Sequence, residues 1–142
     1  MTRSAEAEGA TGDRPDTVAG LVRDVLTELV GPRLLLGIAG PPGAGKSTLA
    51  SELVDALVEA GPTAVLVPMD GFHLAQRELE RLGRADRKGA PDTFDVDGYV
   101  ALLARLRAPD GRTVYAPEFR REVEEPVAGA VAVGPDVRVV VT

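Results

Sequence analysis

The sequence predicts a three-layer α/β domain in which helices pack on a mainly parallel sheet. Two observations predict it. Two short runs of consecutive apolar residues, Leu34 to Ala39 and Ala64 to Val67, lie between Gly- and Pro-containing turns and read as strands buried on both faces. Between them lies a stretch with apolar residues at helical spacing, so the order is strand, helix, strand, which defines a right-handed parallel crossover.

Composition agrees. The 142 residues suit one domain, 44% are apolar and 27% charged, and tryptophan is absent, so the core must be made mainly of Val, Leu and Ala. Without cysteine there is no disulfide framework, thiolate zinc site or thiol nucleophile, and a single histidine excludes most histidine-based metal sites. No stretch reaches membrane-spanning length, and the first fourteen residues have no apolar run, so neither a membrane span nor a secretory signal is expected and a cytoplasmic protein follows. A net charge of −6 argues against a nucleic-acid partner.

The elements follow in order. Residues 1 to 14 read as a flexible leader and 15 to 142 as the domain. Val18, Leu21, Val22, Val25, Leu26 and Leu29 recur at three- and four-residue spacing, predicting a helix from Pro15 to Val30 that Gly31 and Pro32 end. After the first strand a second helix runs from Lys46 to Ala60, with Leu49, Leu53, Leu57 and Ala60 on one stripe. The second strand delivers Met69, Asp70 and Gly71 to the sheet edge. Leu74 to Leu82 reads as a short helix, 83 to 93 as a polar loop, and Val96 to Arg107 as a helix with Val96, Tyr99, Val100, Leu103 and Leu106 on one face. Thr113 to Tyr115 reads as a short extended piece, residues 118 to 134 carry no clear period, and Val137 to Thr142 is a β-branched strand.

Gly40-Pro41-Pro42-Gly43-Ala44-Gly45-Lys46-Ser47 has the spacing of a P-loop: glycine, four residues, glycine, lysine and a hydroxyl residue. Glycines let the backbone fold back so that successive N–H groups point at a phosphate, and the following helix adds its positive end. Lys46 would reach the β- and γ-oxygens of ATP and Ser47 would hold Mg²⁺. Thr48 suits either packing at the helix start or assistance to catalysis. A buried strand before the motif and an amphipathic helix after it are the context that a P-loop NTPase fold requires.

Asp70 lies where an open α/β sheet binds ligands, beyond the carboxyl end of a strand. It could accept the proton of an attacking hydroxyl or hold a metal-bound water, and its structural alternative is to cap the next short helix. His73 reads as a packed or solvent-facing side chain with substrate contact as its other role.

The P-loop, Asp70-Gly71-Phe72 and the run from Arg87 to Asp95 together resemble the superfamily that joins uridine kinase, bacterial-type pantothenate kinase and phosphoribulokinase, and most of all its nucleoside/nucleotide kinase-like, or fructose kinase-like, branch. The resemblance covers about residues 33 to 142. It implies that Asp70 is the catalytic base and that 87 to 95 shapes the acceptor pocket. It also implies a lid and adenine-contacting elements after the last strand, so the domain is expected to be incomplete on that side. Val114-Tyr115-Ala116-Pro117 departs from the Val-Tyr-Ser-His of pantothenate kinases, and Phe119-Arg120-Arg121 departs from the Tyr-Asp-Phe of uridine kinases.

Arg77, Arg81, Arg84, Arg87 and Lys88 form a basic cluster interleaved with Glu78, Glu80 and Asp86. A solvated face with local ion pairs is one role, and substrate contact through Arg87 or Lys88 the other. Asp95 caps the following helix or recognises a substrate hydroxyl; Tyr115 and Phe119 line the acceptor pocket or pack in the core. The expected function is ATP- and Mg²⁺-dependent phosphoryl transfer to a small-molecule hydroxyl, with Lys46 and Asp70 as the catalytic pair, and a homodimer is compatible with the sequence. A nucleotide hydrolase and a nucleotide-binding module without catalysis are the alternatives.

Overall fold

The computed structural model describes residues 17–142; the leader expected over 1 to 14, and the first helical turn expected at Pro15, lie outside them. Helix α1 (Val18–Glu28) starts at Thr17, whose hydroxyl accepts the Gly20 amide at 3.2 Å and so satisfies one of the donors a helix start leaves over. Strand β1 (Leu34–Leu36), helix α2 (Lys46–Ala60) and strand β2 (Ala64–Leu66) follow. Gly61 ends α2 with φ 128, a region that a side chain rarely adopts, and its amide is shared between the Leu57 and Val58 carbonyls. A 3₁₀ turn (Met69–Phe72), the short helix α3 (Gln76–Arg81) and two further 3₁₀ turns (Ala85–Arg87 and Pro91–Thr93) lead to α4 (Val96–Arg107). The segment expected as a polar loop thus carries its own turns.

Strands β3 (Val114–Arg120) and β4 (Glu125–Val133) form an antiparallel two-stranded sheet, and β5 (Val139–Val141) returns to the parallel sheet. The order there is β1-β5-β2, both pairings parallel. The last strand is therefore the central one, and Val139, Val140 and Val141 are all fully buried. Alternation along β5 explains the layering: Val139 and Val141 face Leu53, Leu57 and Val25, whereas Val140 faces Leu102, Leu106, Val114 and Val133. Burying each such valine stabilises the domain by about 1.5–3 kcal/mol.

The hairpin corrects the expectation of one short extended piece followed by an unassigned segment. Pro117, which has no N–H to donate, sits at a shift of register between Ala116 and Glu118, and in β4 alanines stand between the valines, so the alternation of apolar with polar residues that marks a half-buried strand is missing. One consequence reaches the site directly: Gly71 is buried against this hairpin, and a Cβ there would lie 2.3 Å from the Pro117 carbonyl oxygen.

Arg33 ties the far end of the sheet. Its guanidinium donates to the carbonyls of Val137 at 2.8 Å, Leu106 at 3.2 Å and Gly134 at 2.6 Å, joining α4 to the turn before β5. Burial pulls its pKa down, and nearby Asp136 opposes that. Among the described residues no helix is long and apolar enough to cross a membrane.

Candidate nucleotide and acceptor site

The loop from Gly40 to Gly45 joins β1 to α2, and its approach is held by β5: the Thr142 amide donates to Leu36 at 2.9 Å and the Ile38 amide to Thr142 at 2.7 Å. Gly43 and Gly45 adopt φ 76 and φ 82, with open space where a Cβ would stand. The left-handed turn itself, and not crowding, is what calls for glycine there. The Ala44 amide donates to Pro41 at 3.2 Å and closes the turn.

Helix α2 has no side-chain cap, and its first backbone bond runs from Leu49 to Gly45 at 3.0 Å. Among the described residues the amides of Gly43, Gly45, Lys46, Ser47 and Thr48 find no acceptor. The loop is exposed, as are Ser47 and Thr48. The Lys46 ammonium folds back over the loop and donates to the Pro41 carbonyl at 2.9 Å. Unpaired amides at a positive helix end, with one ammonium and a hydroxyl beside them, are the donor set that a polyphosphate needs. Among the described residues no group of three or more His, Cys, Asp or Glu side chains could hold a metal. A Mg²⁺ shared between one hydroxyl and the phosphates themselves remains compatible with this arrangement, because that ion is commonly held by few protein ligands.

Asp70 stands in the 3₁₀ turn beyond β2, exposed, and its carboxylate has no hydrogen bond or ion pair among the described residues. Capping of the next helix falls to another acid, since both Glu125 carboxylate oxygens accept the Gln76 amide, at 3.0 and 3.2 Å. The Asp70 carbonyl accepts the His73 amide at 3.1 Å and lies 2.8 Å from His73 Nδ1. The His73 ring is packed between Phe94, with centroids 4.1 Å apart, and Phe119, at 4.9 Å. Lys88 Nζ lies 5.1 Å from the centre of the Phe119 ring and donates to the Glu124 carbonyl at 2.8 Å. Arg87 donates to both carboxylate oxygens of Asp92, at 3.3 and 2.5 Å, and this holds the Asp92 carboxyl below the usual carboxylate range.

A cavity of about 320 Å³ opens beside the Asp70 turn. Its walls are Met69, Phe72, Phe94, Val96 and Tyr99, with Asp95 as the charged side chain, and the chain at Gly89 and Pro91 completes it. Asp95 Oδ1 accepts the Gly98 amide at 2.9 Å, so this acid caps α4 while facing the cavity. The Phe72 and Tyr99 rings lie 5.2 Å apart.

The structure thus gathers His73, Lys88 and Phe119 around the Asp70 turn and brings Asp95 to the cavity. It does not bring Tyr115 there: Tyr115 is 61% exposed, while its neighbours Val114 and Ala116 point into the core. Arg87 turns to Asp92 and does not line the cavity. Sequence reasoning missed Phe72 and Tyr99 as cavity walls. The available signal was the Asp70-Gly71-Phe72 step, and Tyr99 was hidden among the core-facing positions of α4.

The sequence pattern of the Phosphoribulokinase / Uridine kinase family matches residues 35–106. The chain is 36% identical over 115 residues to a Schizosaccharomyces pombe protein named "Putative uridine kinase", covering 77% of this chain and 49% of that one. It is 32% identical over 113 residues to the pantothenate kinase of Lactococcus lactis subsp. lactis, covering 77% and 36%. Among solved structures, that of a "putative fructose transport system kinase" from Silicibacter superposes with a TM-score of 0.78 at 44% identity, covering 88% of this chain and 61% of that one. The chain spans half or less of the length of these two curated relatives.

Proposed function

Because the chain belongs to the phosphoribulokinase/uridine kinase family of P-loop kinases, we propose that it holds ATP and Mg²⁺ at Gly40 to Thr48 and moves the terminal phosphoryl group to a hydroxyl of a small molecule lying in the cavity beside Asp70. The observation that carries this reading is the pairing of two unsatisfied sets: amides without acceptors at the start of α2, and a carboxylate without a partner beyond β2.

In this reading the loop amides and the α2 N-terminus take up the phosphate charge, and Lys46 exchanges the Pro41 carbonyl for phosphate oxygens. The Ser47 hydroxyl would hold Mg²⁺, which when bound neutralises charge on the transferred group. Asp70 orients the acceptor hydroxyl and takes its proton, or holds a metal-bound water. His73, fixed between two rings, keeps the Asp70 carbonyl and hence the turn in place. Gly40, Pro41 and Pro42 shape the entry to the turn, and Gly43, Ala44 and Gly45 form its base.

Calorimetry with ATP and Mg²⁺, followed by an ADP-release screen against nucleosides, pantothenate and simple sugars, tests the proposal. Asp70→Asn should lower transfer by orders of magnitude and leave ATP affinity nearly intact. Equal turnover in the variant removes Asp70 from this role, and a chain that takes up no nucleotide ends the reading altogether.

A further inference from the structure

The cavity beside Asp70 is lined mainly by apolar side chains and one acid. Three of its walls are aromatic, Phe72, Phe94 and Tyr99, and Met69 and Val96 add apolar surface. Its charged lining is Asp95, and no cation lines it. The cations nearest in sequence are already matched: Arg84 and Arg87 both reach the Asp92 carboxylate, at 3.4 and 2.5 Å, and Lys88 lies 4.0 Å from the Glu124 carboxylate while covering the Phe119 ring. One Asp95 oxygen takes the Gly98 amide, and the other has no hydrogen-bond partner among the described residues.

Resting on the reading of this cavity as the acceptor site, we propose that the acceptor is an uncharged hydroxyl compound with a flat, apolar face. That face lies on the Phe72, Phe94 and Tyr99 rings, and one O–H or N–H is donated to the open oxygen of Asp95. Anionic acceptors are disfavoured, because an acceptor carboxylate or phosphate would meet Asp95 with no cation to answer it. Asp95 is exposed, so solvent screens this like-charge contact and the preference against anions is modest. Asp95 is then the specificity-determining residue, and its cap on α4 is what holds the carboxylate in the wall.

Two matched pairs of probes decide the matter by calorimetry on the 142-residue chain. Uridine against ribose isolates the flat face, and panthenol against pantothenate isolates the charge. Uridine should bind more tightly than ribose, and panthenol more tightly than pantothenate by about two- to fivefold. Asp95→Asn keeps a capping side chain, so it should remove the panthenol preference and leave the uridine preference in place. Pantothenate binding as tightly as panthenol, ribose binding as tightly as uridine, no probe binding at all, or a charge preference that survives in a folded Asp95→Asn each overturns the proposal. If that variant fails to fold, the two pairs on the unaltered chain still decide. ATP uptake measured in the same samples separates the outcomes: retained uptake with failed acceptor selectivity strikes this inference alone, whereas lost uptake strikes the phosphotransfer reading.

Discussion

The Tyr99 hydroxyl and the Thr142 hydroxyl lie 2.7 Å apart, linking the acceptor-cavity wall on α4 to the end of the central strand. Thr142 is in turn bonded through its backbone to Leu36 and Ile38, the residues that lead into the phosphate loop. A single pair thus connects the two halves of the site. Tyr99→Phe removes the bond but keeps the ring against Phe72, so a loss of about 0.5–1.5 kcal/mol is expected in urea unfolding. A loss near zero would mean that water replaces the phenol without cost.

Gly71→Ala should be far more damaging than its size suggests. The new methyl would stand 2.3 Å from the Pro117 carbonyl oxygen, a backbone atom that cannot rotate away. Overpacking of this kind costs about 1–3 kcal/mol. Relief requires the Asp70 turn to separate from the β3–β4 hairpin, so phosphoryl transfer should fall further than ATP affinity. Thermal melting together with a turnover and calorimetry comparison checks both parts.

Arg33→Met should strand the carbonyls of Val137, Leu106 and Gly134, which the guanidinium now satisfies in a buried setting. About 3 kcal/mol of lost stability is expected from unpaired buried acceptors. The urea midpoint reports it directly, and an unchanged midpoint would show that the turn before β5 can open to solvent freely.

Asp92 gives a pH signature. Hydrogen bonding from Arg87 comes first among the causes that hold its carboxyl below the ordinary value, with the nearby charge of Arg84 adding a smaller part. The folded pKa is thus depressed, so whatever this pairing contributes is present above the unfolded pKa and lost as pH falls through the folded one. A carboxyl carbon titration should place the Asp92 midpoint below the ordinary value of about 3.9, and Arg87→Gln should move it upward. No movement in the variant would show that Arg87 does not hold this acid in solution.

Much of the nucleotide side was legible in the chain before any coordinates. Helices α2 and α4 have the expected bounds, because their apolar spacing is regular and Gly45, Gly61 and Asp95 mark their ends. The phosphate loop is readable because its glycines answer a local backbone demand at Gly43 and Gly45. What sequence could not show depends on pairing between distant segments. Placement of β5 between β1 and β2 is a long-range choice that no local pattern records. The β3–β4 hairpin was hidden by Pro117 and by the lack of polar residues between the valines of β4. Nothing local in the sequence marks Arg33, since its three acceptors come from α4 and the turn before β5. Tyr115 reads by type as a pocket-lining or core side chain, but strand alternation turns it outward and it does neither.

The position of β5 has a consequence for biogenesis. Neither β1 nor β2 pairs with the other, and both receive their ladder from residues 139–141. During synthesis the phosphate loop therefore leaves the ribosome long before the strand that anchors its approach. Until that strand emerges, the nascent chain exposes two apolar segments without partners, a state open to chaperones and proteases. ATP uptake should accordingly appear only after residues 139–141 have left the ribosome, and abruptly.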